Sequence, residues 1–154
     1  MASEYPALTK FFLDAIDRFA NPRAQMYRTP AGWQSISAQE MLRRVAGLSK
    51  ALAELGIVSG DRVGLFAPNC PEWHTADFAI QGLGAVTVPI YFNESHDRLV
   101  YILNDSGARV VFTAGAAQTL RFVKGRRWFD GGRDRPKQRH WVSSLAPFQG
   151  LWCR

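Results

Sequence analysis

Apolar positions recur at helical spacing at the front of the chain. Leu8, Phe11, Phe12, Ala15, Ile16 and Phe19 alternate with Lys10, Asp14, Asp17 and Arg18, which predicts an amphipathic helix over 8–19, stopped by Asn21-Pro22. Two short runs, 24–28 and 33–36, flank the turn signal Thr29-Pro30-Ala31-Gly32 and read as a small hairpin. Ser37-Ala38-Gln39-Glu40 has capping-box spacing: the Ser hydroxyl can accept from the Glu40 amide, and the Glu carboxylate can reach back. Met41, Val45, Leu48, Leu52 and Leu55 follow at steps of three and four, and Gly56 stands where a left-handed residue would end that helix.

Beyond Ser59-Gly60-Asp61 the pattern becomes strand, helix, strand, helix, strand. Val63–Ala67, Ala85–Tyr91 and Arg109–Thr113 are short apolar runs of strand length. Between the first two lies a helix opened by Pro71 and Glu72, with Trp73, Ala76, Ala79, Ile80 and Leu83 on one face and Gly84 at its end. A second helix, capped by Ser95, carries Leu99, Val100, Ile102 and Leu103 and ends at Asn104-Asp105-Ser106-Gly107. Strands that are nearly continuous apolar runs indicate a parallel sheet covered on both faces. The expected fold class is α/β, with a parallel βαβαβ unit flanked by helices.

Charge changes this picture only at the end of the chain. Of 154 residues, 19 are Lys or Arg and 13 Asp or Glu, a net charge of +6. Residues 1–118 hold 10 basic and 11 acidic residues, a net of −1; residues 119–154 hold 9 and 2, a net of +7. The tail keeps no period of 2 or 3.6 and gathers Trp128, Trp141 and Trp152. Two cysteines, Cys70 and Cys153, cannot make a disulfide framework. No signal-peptide pattern opens the chain, and the longest uncharged stretch of the front segment, Phe78–Asn93, is too short to span a bilayer. A cytoplasmic protein without a transmembrane segment is expected.

Candidate chemistry is sparse. Cys70 and His74 have i, i+4 spacing but no second ligand pair, so Cys70 reads as a helix cap. His96 beside Asp97 lacks a nucleophile and reads as a solvated helix start. Asn69 lies between strand and helix, where α/β sheets bind ligands, yet Asn there usually serves the local backbone. Trp33 reads as packed on the sheet. Lys124-Gly125-Arg126-Arg127-Trp128, followed by Arg133, Arg135, Lys137 and Arg139, is the best case for nucleic acid, set against an unselected polycation.

A family resemblance gathers over about residues 8–117. Gly60-Asp61-Arg62-Val63, Ala67-Pro68-Asn69-Cys70-Pro71-Glu72-Trp73, Leu83-Gly84-Ala85-Val86-Thr87-Val88-Pro89-Ile90-Tyr91, Tyr101-Ile102-Leu103-Asn104-Asp105-Ser106 and Arg109-Val110-Val111-Phe112 resemble the adenylate-forming (AMP-binding) superfamily. Trp33 to Glu40 fits its N-terminal region, and the Pro-Ile-Tyr and Tyr-Ile-Leu-Asn-Asp-Ser runs look most like long-chain fatty acyl-CoA synthetases. The resemblance implies a fragment of an ATP-dependent long-chain fatty acid–CoA ligase, using ATP, Mg²⁺ and coenzyme A when full length. The family's phosphate loop, metal-binding acid and C-terminal lysine find no match: neither Thr-Thr-Gly nor Gly-Lys-Ser/Thr occurs. No residue is therefore assigned a catalytic, cofactor-binding or metal role, and the isolated chain is expected to bind these cofactors poorly and to be inactive. The expected domains are 1–118, an incomplete N-terminal part of the ligase domain, and 119–154, an irregular basic tail read as a shifted reading frame or a native extension. Expected partners are fatty acid, CoA and the missing remainder of the enzyme, with no specific nucleic acid. The alternatives are a small basic nucleic-acid-binding protein using 119–154, or a non-catalytic partner of a full-length ligase.

Overall fold

The structure, a computed structural model, describes residues 8–115. The expected tail, 119–154, lies outside them. Nine elements follow in order: α1 (Leu8–Phe19), β1 (Gln25–Thr29), β2 (Gly32–Ile36), α2 (Ala38–Glu54), β3 (Arg62–Phe66), α3 (Pro71–Gly82), β4 (Val86–Ile90), α4 (His96–Ser106) and β5 (Val110–Thr113). They divide into two compact units, one of residues 8–59 and 69–85, the other of 60–68 and 86–115.

The first unit holds α1, the hairpin, α2 and α3. α1 buries Phe12 and Ile16, and the Phe12 ring stacks on Phe78 of α3 with centroids 4.1 Å apart. β1 and β2 pair antiparallel, Gln25 opposite Ile36 and Arg28 opposite Trp33. The Ser37 hydroxyl accepts from the backbone N–H of Glu40 at 3.2 Å, which caps α2 as expected. Glu40 does not simply turn back on the cap: its carboxylate oxygens accept from Arg43 Nε and Nη2 at 2.8 Å and from Arg44 Nε at 2.6 Å. Those two guanidiniums, through the Arg43 bonds first, lower its carboxyl to about 2. α2 lies against α3, where Ser49 Oγ donates to the Ala79 carbonyl at 3.0 Å. Gly84 follows α3 with φ +70°, and a β-carbon there would lie 2.7 Å from Ser59 Oγ, so the turn takes only glycine.

The second unit holds the parallel sheet, in the order β4-β3-β5, with α4. Val63 pairs with Thr87 on one side and Val110 on the other; Phe66 pairs with Ile90 and Thr113. β3 from Val63 to Phe66 and all of β5 are buried, as continuous apolar runs require. β4 departs from that expectation: Val86 and Pro89 are exposed and only Ile90 is buried. Its proline lacks an N–H, which suits the outer strand it is here. Phe66, Ile90, Leu99, Leu103 and Val111 form one core between the sheet and α4. Gly64 lets β3 come close to its neighbours: a β-carbon there would lie 2.8 Å from Leu103 Cδ2 and 3.2 Å from Val111 Cγ2.

The ends of α4 match its sequence signals. Ser95 Oγ accepts from Arg98 N at 3.4 Å, and Gly107 closes the helix in the left-handed region. Arg62, the first residue of β3, reaches that closure. Its Nε donates to the Ser106 carbonyl at 2.8 Å and its Nη2 to the Gly107 carbonyl at 3.3 Å. Asp61 and Arg109 form an ion pair at the same end of the strands, and the Arg109 N–H donates to the Arg62 carbonyl at 2.8 Å.

Candidate functional site

In open parallel sheets, ligands sit beyond the carboxyl ends of the strands, where strand order reverses. Here the chain passes from β3 to β4 on one side and returns to β5 on the other. The reversal therefore lies between β3 and β5, whose carboxyl ends are in register at Phe66 and Thr113. Ala67 and Pro68 leave β3, while Ala114 and Gly115, the latter at φ +133°, leave β5. The side chains at this edge are apolar or small, apart from the buried Thr113. Such an edge can shape and position a ligand through its backbone and one hydroxyl. Among the described residues it offers no carboxylate, imidazole or thiol side chain.

The start of α3 belongs to the other unit. Cys70 occupies the N-cap position and is buried, but its side chain makes no capping hydrogen bond, against expectation. Its carbonyl does the local work, accepting from Trp73 N at 3.0 Å and lying 3.2 Å from His74 Nδ1. The Cys70–His74 spacing thus brings the imidazole to a carbonyl oxygen. Among the described residues, no group of three or more His, Cys, Asp or Glu could hold a metal ion. Glu72 was legible only as a complement to the helix dipole. It is buried, and its Oε2 has no hydrogen-bond partner among the described residues.

Other residues singled out by sequence stand apart from chemistry. Asn69 is exposed just before α3, and His96 and Asp97 form the first turn of α4. Trp33 is not packed on the sheet: it is 66% exposed on the hairpin, because the opposite hairpin face, with Ile36, takes the buried side. Sequence reasoning missed the Asp61–Arg109 pair and the reach of Arg62 to Ser106, which join residues 48 and 44 positions apart. Only the placement of all four at turn-to-strand or helix-to-turn junctions hinted at them. No helix among the described residues is long and apolar enough to cross a membrane.

The groups that adenylate chemistry needs do not fit what is present. The described residues offer no metal cluster, and the sequence contains no Thr-Thr-Gly or Gly-Lys-Ser/Thr loop. No step through ATP or Mg²⁺ is derived from this chain's residues.

Comparison with known proteins gives the scaffold its place. A long-chain-fatty-acid–CoA ligase of Mycobacterium bovis is 39% identical over 80 residues, covering 52% of this chain and 13% of the ligase. The solved structure of a Mycobacterium tuberculosis fatty acyl CoA synthetase superposes with a TM-score of 0.71 at 27% identity, over 90% of this chain and 26% of that one. An anthranilate CoA ligase in complex with anthranoyl-AMP gives a TM-score of 0.75 at 25% identity, over 94% of this chain and 26% of that one. The chain spans about an eighth of the length of the first curated relatives it matches. The family model for AMP-binding enzymes matches residues 12–147, a span that passes residue 118 and takes in most of the basic tail. The parallel sheet with α4 packed on it and this match have one meaning: the chain belongs to the AMP-binding enzyme family.

Proposed function

We propose that the chain is part of a long-chain fatty acid–CoA ligase. Such an enzyme joins a carboxylate to ATP as an acyl-adenylate, releasing pyrophosphate, and then passes the acyl group to the thiol of coenzyme A, releasing AMP. The observation that carries this reading is the 39% identity to the mycobacterial ligase across 80 residues. The role of the present residues is scaffolding: β3, β4 and β5 with α4 build the carboxyl edge of a sheet, and the reacting groups come from elsewhere in the enzyme.

The isolated chain is accordingly inactive, with fatty acid, ATP and CoA as ligands of the complete enzyme in a cytoplasmic setting. ATP–pyrophosphate exchange with medium- and long-chain fatty acids tests this. No exchange is expected from the purified chain, and clear turnover overturns the claim. A chimera tests the ligase reading itself. Residues 8–115 replacing their counterpart in the mycobacterial ligase leave fatty-acid-dependent exchange in place; a folded chimera without it counts against the reading.

Residues 119–154 are proposed as a basic segment of distinct composition, with a charge of +7 against −1 before them, although the family match runs into it as far as residue 147. Reading the coding DNA in the other two frames beyond codon 118 tests a shifted frame as its origin, and the idea fails if neither frame continues the family pattern.

A further inference from the structure

Three half-buried carboxylates show how this chain satisfies such groups. Glu40 is held by Arg43 and Arg44, Glu94 by Arg98, and Asp61 by Arg109. Glu72 is more deeply placed, at 6% exposure, yet its Oε2 is shielded from solvent without a partner. A carboxylate oxygen taken out of water needs a donor, and leaving it without one is costly. The first turn of α3 offsets part of the charge through the helix dipole. Donors beside Glu72 are engaged elsewhere. The Trp73 N–H donates to the Cys70 carbonyl and the Thr75 hydroxyl to the Pro71 carbonyl, both at 3.0 Å. An orphaned oxygen of this kind marks a partner that the described residues do not supply.

We infer that Glu72 receives a guanidinium from the part of the ligase outside this chain, which ties the start of α3 to that part. The inference rests on the ligase reading. Chemistry selects the donor. A neutral N–H would fill the oxygen and leave the charge; an arginine does both, as it does for Glu40, Glu94 and Asp61. A metal ion is a poor occupant, because hard cations take several oxygen ligands and no group of three or more His, Cys, Asp or Glu stands ready among the described residues. The stretch matched in the mycobacterial ligase is 13% of that enzyme, which leaves most of its length to supply the arginine.

Thermal unfolding in two settings tests the assignment: the full 154-residue chain, and the chimera that carries residues 8–115 in the mycobacterial ligase. In the isolated chain Glu72→Met removes an unpaired buried charge at nearly constant volume, and the midpoint rises by about 4 °C. In the chimera the same substitution strands the incoming guanidinium, and the midpoint falls by about 3 °C. Glu72→Gln keeps an acceptor without the charge, and in the chimera its midpoint falls at least half as far. Unfolding is read without substrate. A chimera that folds without fatty-acid-dependent exchange therefore counts against the ligase reading, and the Glu72 measurement is still made on it. The inference is overturned if Glu72→Met does not raise the midpoint of the isolated chain, which makes Glu72 a local support or puts its donor within the 154 residues. It is also overturned if Glu72→Met leaves the chimera's midpoint unchanged or higher, as a water on Oε2 would. A Glu72→Gln chimera that matches wild type overturns it too, because the donor is then neutral.

Discussion

The guanidinium of Arg62 lies against the carbonyl of Ser106, Nε to oxygen 2.8 Å. One side chain at the start of β3 thereby closes the end of α4, where helix carbonyls lack partners of their own. The same guanidinium also serves the Gly107 and Gly60 carbonyls at 3.3 and 3.0 Å. Arg62→Ala is expected to lower unfolding free energy by about 2 kcal/mol, because charge-assisted bonds to partly buried carbonyls are lost together. Arg62→Lys recovers less than half, since a point charge cannot fork. Urea unfolding followed by circular dichroism checks both.

Gly64 offers a second, local test. Alanine there places a β-carbon 2.8 Å from Leu103 Cδ2 and 3.2 Å from Val111 Cγ2. Overpacking of this kind costs about 1–3 kcal/mol. Leu103→Ala alone also destabilises, by opening a cavity. In the double variant the two changes offset one another, so its loss is smaller than the sum of the single losses. Additive losses would show that the sheet and α4 do not meet at this point.

Acid should loosen α2. Glu40 is held near pKa 2 by its bonds to Arg43 and Arg44, against 4.5 without them. A carboxyl whose pKa is lower folded than unfolded stabilises the fold above about pH 4.5. That contribution is lost as pH falls from there toward 2. Screening at a surface position reduces it to about 1 kcal/mol. Glu40→Gln should flatten this part of the stability–pH curve, as measured by thermal unfolding between pH 2 and 6.

Ser37→Ala removes the hydroxyl that accepts from Glu40 N. The expected loss is about 1 kcal/mol. Ser37→Asp restores most of it, and ellipticity at the helix minimum reports the change.

The elements whose signals are local were the ones the sequence showed plainly. α1 falls on its predicted span, and the Ser37 and Ser95 caps and the Gly107 terminus stand where spacing put them. β1 to β5 shift by a residue or so at their ends, where hydrogen bonding rather than hydrophobicity sets the boundary. Sequence alone could not place Trp33. A five-residue strand with polar and apolar residues on both faces does not reveal which face is buried. Cys70 took the cap position without the cap bond, because a thiol is a weak acceptor and the backbone carbonyl served instead. Nor could pattern disclose Asp61–Arg109, since a pair across 48 residues forms only once β3 and β5 lie side by side. The βαβαβ pattern was legible, but the strand order β4-β3-β5 was not, because the same pattern fits a sheet laid down in sequence order.

Pro89 carries a consequence for how such a sheet behaves in a crowded solution. A strand that lacks a donor at the fourth of its five residues is a poor template for a stranger's backbone. Among the described residues, recruitment of a neighbouring chain along β4 is therefore disfavoured. Replacing Pro89 with a residue that donates would make that flank a better template, and self-association would be expected to rise.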